Sequence, residues 1–589
     1  MQRSMKRTCA LVVLLSTAAP AAGPSLLDGR PVVLDGGGKL LSWLTPQEGA
    51  YSAAATTAWD FLVRWPRVEP DGFKTYFEYP GFNGLELLPA TWVHNPASLF
   101  AFLTDSGLSM YQYSGDPSAL AFVQSLLDHE LQHGLTPSGW SWSRVPFAST
   151  MPGTHDYSGA DDVWACRQSG ASTTGAACGQ GDGIGAIEPD KVGVLGYWFL
   201  RAYQATGATR YLEAAIACAD ALASHVRPGS ATQSPWPFRV LAQTDVVRED
   251  YGSNVIGPIE LLDELVRLRL GQTARYRSAR QVAWSWLMSV PMQDDHWGQY
   301  FEDIPIFPDP QVNENQNNPM ETARYLMLHP GLDPDWRVHV PHLIAFVEQR
   351  FAIDAWGEKG SQFGANVISE QVADMAKMSC HTARYASINA LWFARTGDAA
   401  AKEKAFRSFN WATYLNDGKG LVSAGVTAPG QDSGQGYWFS VYAEYIRQYM
   451  AGLAAIPEWA PPGENHLLAS SSVVQAISYS SSGLSYRTFD ADSIEVMRVV
   501  AAPEMVIAGG KRLLPGNLVG ESYALQTLAN GGYSLRVHHS GSGEIAVVLG
   551  RGGHHGCQTG GRDLLWALLG GLALLGRPAA RRVRRNRSR

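Results

Sequence analysis

The sequence predicts a mainly α protein: a ring of six helical hairpins followed by a smaller C-terminal β-sandwich. Three observations predict it. Amphipathic helical stretches come in pairs joined by Gly-containing turns of two or three residues. Turn glycines at 207, 271, 331 and 397 recur at intervals of 64, 60 and 66 residues. Beyond about residue 465 the apolar period changes from helical to alternating. With 589 residues, 45% of them apolar, 17% charged and 19 of them Trp, the chain can bury a large core and is not disordered.

Residues 1–23 read as a secretory signal. Arg3, Lys6 and Arg7 form a basic start, Ala10 to Leu15 an apolar stretch, and Ala19-Pro-Ala21 a site for signal peptidase. Helix then pairs with helix over 24–464. Leu99–Tyr113 turns at Gly115 into Ser118–His133, and Val192–Ala205 turns at Gly207 into Thr209–His225. Ile259–Leu270 turns at Gly271 into Arg275–Ser289, and Glu321–His329 turns at Gly331 into Asp335–Phe351. Ala383–Arg395 turns at Gly397 into Ala400–Tyr414. The unpartnered Tyr51–Trp65 and Tyr437–Leu453 close the ring as the sixth pair. Linkers between pairs are long, so the ring has a short-turn end and a long-loop end, and long loops in compact domains are usually functional. Over 465–551, Val473–Tyr479, Ser485–Asp490, Ile494–Val500, Met505–Ala508, Tyr523–Leu528, Tyr533–His539 and Glu544–Leu549 alternate as about seven strands. Residues 552–589 hold Gly556-Cys557, a short apolar run from Leu564 to Leu575, and an Arg-rich end.

The hairpin pattern, with Tyr203-Gln-Ala-Thr-Gly207 followed by Tyr211-Leu-Glu-Ala-Ala215, resembles the (α/α)6 toroids of the six-hairpin glycosidase superfamily. The tail resembles the MYXO-CTERM sorting tail of myxobacterial secreted proteins. That likeness implies the export machinery, a C-terminal sorting protease acting with Cys557 as key residue, and retention in the cell envelope, attachment at the cell surface or release. The apolar run is shorter than the roughly 20 residues of a full span, yet can engage a membrane with its Arg cluster on the cytoplasmic side.

Charge narrows the partners. The formal net charge is −7, but residues 24–561 hold 36 basic and 53 acidic residues, a net of −17. So acidic a body is a poor partner for nucleic acid or an anionic lipid surface. Cys166 and Cys178 flank a Gly/Ser/Thr-rich loop and are candidates for a disulfide. Cys218 and Cys380 lie in helical patterns and read as buried thiols. No cofactor is expected. His155-Asp156-Tyr157 does not match a calcium loop, and no His/Cys spacing matches a zinc site.

The long loops gather aromatics and acids. Sugars present apolar faces on which Trp and Tyr stack, and glycoside hydrolysis needs two carboxyl groups, one protonated and one ionised. The catalytic candidates are Asp303 with Asp250 or Asp432, with Glu302 and Glu314 as rivals. Ser253 or Asn254, next to Asp250, and Asp432 also suit helix capping. Trp140, Trp142, His155, Asp156, Trp236, Trp297, Arg384 and Tyr437 are candidates for binding an oligo- or polysaccharide. If helical, Glu370 and Asp374 share a face near His381 and Arg384. The alternatives are a polysaccharide lyase or sugar epimerase, using Tyr251 or His381 as base and Arg384 to neutralise the substrate, and a non-catalytic glycan-binding surface protein.

Overall fold

The structure is a computed structural model that describes residues 26–70, 72–74, 76, 81–83, 86–87, 95–150, 157–159, 183–298, 313–352, 363–372, 374–426, 437–541 and 543–550. The signal segment, the Cys166 and Cys178 pair, and the tail with Cys557 lie outside the described residues.

Twelve long helices are found among the described residues: α1 Ala50–Arg64, α2 Pro96–Ser114, α3 Pro117–His133, α4 Pro189–Thr206, α5 Thr209–His225, α6 Ile256–Leu268, α7 Thr273–Ser289, α8 Asn317–Leu328, α9 Trp336–Phe351, α10 Ser379–Thr396, α11 Ala399–Thr413 and α12 Phe439–Ala455. Their ends carry ordinary helix signals. Pro occupies the first turn of α2, α3 and α4, where its missing N–H is not needed. Asp398 caps α11 by accepting from the backbone N–H groups of Ala400 and Ala401. Gly115, Gly207 and Gly397 end α2, α4 and α10 in left-handed geometry, which a side chain would strain.

The even-numbered helices form a closed inner ring in the order α2–α4–α6–α8–α10–α12, with α12 packing back on α2. Each inner helix carries an outer partner, and α1 takes the place beside α12. Every inner helix begins at the long-loop end. Several start earlier than the apolar pattern predicts, α8 at Asn317 and α10 at Ser379. Their first turns carry buried polar residues, Asn317 and Asn318 in α8 and Ser379 and His381 in α10, which apolar periodicity does not mark.

At the long-loop end short strands occupy part of the linker before α10. Ser369–Gln371 and Asp374–Met378 are antiparallel strands, so Glu370 and Asp374 do not share a helix face. At the short-turn end sits the sandwich, with nine strands among the described residues: β1 His466–Ser470, β2 Val474–Ser480, β3 Gly483–Thr488, β4 Ser493–Val499, β5 Pro503–Ala508, β6 Lys511–Arg512, β7 Ser522–Thr527, β8 Tyr533–His539 and β9 Ile545–Leu549. One sheet runs β1-β4-β8-β7 and the other β2-β3-β9-β5-β6. One apolar core continues from ring to sandwich. The seam is tied by His466 stacked on Tyr113 at 3.7 Å and by Gln475 Nε2 donating to the Gln204 carbonyl at 2.9 Å. Cys218 and Cys380 are buried free thiols. No described helix is long and apolar enough to cross a membrane.

Candidate functional site

Polar side chains gather at the inner ring in two tiers. The upper tier sits at the inner helix N-termini, under the long loops. Asn95, the cap of α2, donates to Glu188 Oε2 at 3.2 Å. Arg239 bridges Glu188 and Glu249 at 3.1 and 2.9 Å, and Lys191 bridges Glu188 and Asp190 at 3.1 and 2.8 Å. Asn254 Nδ2 donates to Asp190 at 2.9 Å, and Asn318 Nδ2 to Ser253 at 2.7 Å. On α10, His381 Nδ1 lies 2.9 Å from Gln316 Nε2, and its Nε2 lies 3.4 Å from Glu370 Oε1.

The lower tier is a charged belt one or two helical turns deeper. Arg384 reaches Glu321 at 3.2 Å and Glu444 at 2.5 Å. Arg447 reaches the same two acids, each at 2.9 Å, and Asp105 at 3.5 Å. Arg324 holds Glu321 at 3.1 Å and Gln448 at 2.7 Å. Behind the belt a cavity of about 260 Å³ lies against the sandwich, lined by Asp105, Arg201, Arg324, Arg447 and Ser472 among others.

The belt sorts its carboxyls into two protonation classes. Burial and the neighbouring Glu321 push Glu260 up to about 8, against the pull of Arg324 and Arg447. Among the described residues no hydrogen bond reaches the Glu260 carboxyl. Burial likewise raises Asp105. Glu444 is buried too, but Arg384 and Arg447 more than offset that and hold it at about 2. Burial pushes Glu321 up as well, yet Arg324, Arg447 and Arg384 keep it below the usual carboxylate range. A protonated acid beside an ionised one is the arrangement that acid–base chemistry on a glycosidic bond requires.

The sequence candidates are dispersed. Asp303, Glu302, Asp432, His155 and Asp156 lie outside the described residues. Asp250 faces outward with its side chain 43% exposed, paired to Arg227 at 2.7 Å, and touches neither tier. Glu314 is half-buried, 3.6 Å from Arg350, and burial raises its carboxyl. Tyr251 is buried, and its hydroxyl donates to the His296 carbonyl at 2.6 Å.

Three of the expected sugar-stacking residues are core instead. Trp142 stacks on His225 at 4.1 Å, Trp236 donates to the Leu222 carbonyl at 2.9 Å, and Trp297 is fully buried. An aromatic-rich loop reads alike whether its rings point to solvent or inward, and here the core claims them. Trp140 is half-buried against Phe147, and Tyr437 stacks on Phe82 at 5.4 Å just before α12. His381 and Arg384 do come together, joined through Gln316. Glu260, Glu321 and Glu444 were missed because each sits inside a helix, where a charge reads as a solvated face. The available signal was their position facing the ring axis, which a single helix does not reveal.

No family model matches the chain, and no curated protein matches it. Solved structures resemble it at low identity. The cellobiose 2-epimerase of Spirochaeta thermophila is 13% identical over 69% of this chain and 96% of its own, with a TM-score of 0.49. A D-mannose isomerase is 10% identical over 68% and 97%, also at 0.49. A family 76 glycoside hydrolase from a bovine Bacteroides thetaiotaomicron strain is 11% identical over 70% and 78%, at 0.45. These are likenesses in the course of the chain, and the ring itself is established by the packing of its helices.

Proposed function

We propose that this chain is a glycan-active enzyme that hydrolyses glycosidic bonds in the axis of its helical ring. Glu260 is the proton donor and Glu321 the ionised partner, as base or nucleophile. The observation that supports this is the split within the belt: a carboxyl without a hydrogen-bond partner among the described residues, pushed up to about 8, beside one that three arginines keep ionised. Glu444 is the more enclosed of the two ionised acids and serves to hold Arg384 and Arg447. Asp303, Glu302 and Asp432 belong to the same proposal as loop acids that bind substrate or act with Glu260. Export to the cell envelope or surface, by the N-terminal leader and the Cys557 tail, completes it.

The test is release of new reducing ends from a panel of neutral and charged polysaccharides by the purified chain. Activity that Glu260→Gln removes while the fold persists supports the proposal. Turnover unchanged in that variant sinks it. The contact between His381 and Glu370 favours a second reading, proton abstraction by a lyase or epimerase with the Glu370 carboxylate as base and the His381 N–H orienting it. An unsaturated product absorbing in the ultraviolet, or an inverted sugar centre without cleavage, would select it.

A further inference from the structure

We infer that Gln316 and Arg384 are positioning residues that hold neutral His381 in a single tautomer, with its proton on Nε2 and directed at Glu370. Arg384 NH1 lies 3.0 Å from Gln316 Oε1 and 3.1 Å from His381 Nδ1. A guanidinium has donors only, so the atom Gln316 offers it must be the oxygen, and the amide orientation follows. The Gln316 nitrogen then faces His381 Nδ1 at 2.9 Å. Nδ1 thus meets two donors and has to be the acceptor. The proton of the neutral ring belongs on Nε2, whose neighbour is Glu370 Oε1 at 3.4 Å, a carboxylate that accepts.

Arg384 cannot turn away. Glu321 of α8 holds it at 3.2 Å, and Glu444 of α12 holds it at 2.5 Å. Among the described residues the charged groups around the ring include Glu370 from the strand Ser369–Gln371, Arg384 on α10 itself, and Glu321 and Glu444 behind Arg384. Gln316, immediately before α8, is fully buried, and His381 is 3% exposed.

The consequence bears on chemistry and to that extent rests on the glycan reading above; the geometry does not depend on it. A base abstracts a proton with a lone pair. In this tautomer the Nδ1 lone pair is occupied by two donors and Nε2 carries hydrogen, so His381 presents an N–H. It orients Glu370 or a sugar oxygen and is not the resting base of a lyase or epimerase.

Long-range proton–nitrogen NMR on the full chain labelled with 15N-histidine tests this directly. The spectra are taken at about pH 8, above the ordinary imidazole value. The chain has 15 His, and the His381 signal is the one lost in His381→Gln. The expected spectrum shows an unprotonated Nδ1 and a protonated Nε2. In Gln316→Glu the introduced carboxylate can only accept, and Nδ1 is expected to become protonated. A wild-type ring with the proton on Nδ1, or averaging between tautomers, overturns the inference. An unprotonated Nδ1 in folded Gln316→Glu overturns the role of Gln316. If that variant fails to fold, the wild-type spectrum decides alone. A locked tautomer in a protein that turns over no glycan leaves this inference standing and removes the proposed function.

Discussion

The axis of the ring and its wall each hold a glutamate whose carboxyl burial pushes up to about 8, Glu260 in the axis and Glu130 in the wall. Their surroundings differ. Glu130, on α3, is fully buried beside Cys218 of α5, and among the described residues neither of its oxygens has a hydrogen-bond partner. Burial alone raises it. Glu260 is half-buried and shares the axis with Glu321, Asp105, Arg324 and Arg447. One proton is held in a sealed place, away from the charged belt. The other is held among the charged groups of the belt. A raised carboxyl is therefore not a site by itself; the groups it faces decide.

The comparison is broken most directly at Glu260. Glu260→Gln should lower turnover of a responsive glycan by about 10²–10⁴-fold, the usual contribution of a general acid, while thermal unfolding stays near wild type. Glu130→Gln in the same assay should leave turnover unchanged. Loss of activity in both would show that the axis and the wall are equivalent.

The next effect is on the belt itself. Arg447→Met leaves Glu444 and Glu321 without one of their arginines in a buried place, and denaturant unfolding should report a loss of about 3–5 kcal/mol.

Glu130 sharpens the contrast through pH. Its native carboxyl keeps a proton that the unfolded chain loses above 4.5, and keeps it to about 8. Between those values the native state binds more protons, so stability falls as pH rises, by roughly a kcal/mol per pH unit. Below 4.5 this contribution to the slope vanishes. Urea titrations across that window should show the decline in wild type and a reduced slope in Glu130→Gln.

The smallest effect lies at the seam with the sandwich. Arg267 is half-exposed and meets Asp490 at 2.9 Å. Arg267→Ala should cost about 1 kcal/mol or less, read from the same titrations.

Much of the fold was legible in the sequence because hairpins repeat locally. Gly207 and Gly397 mark turns that the chain makes with its own neighbours. Tyr533–His539 alternates over the span that β8 occupies. Strands whose partners are distant are harder to read: the pattern does not mark His466–Ser470 or Lys511–Arg512, and Glu370, which shares a face with Asp374 only as a helix, lies in a strand. The candidate site was less legible still. The loop tryptophans advertised a sugar face and proved to be core. Glu260 and Glu321 lie inside helices, where the pattern of one helix does not distinguish a charge facing the axis from one facing solvent.

The sequence by itself determined the paired helices, their turns, the change to strands near residue 465 and the side of each hairpin on which the long loops lie, because all of these follow from local periodicity and turn chemistry. Only the tertiary structure decided which carboxyls share the ring axis. Closing six helices into a ring sets Glu260, Glu321, Arg384 and Glu444 against one another across 184 residues of chain, from Glu260 to Glu444. Their desolvation and mutual charge then separate protonated acid from ionised partner.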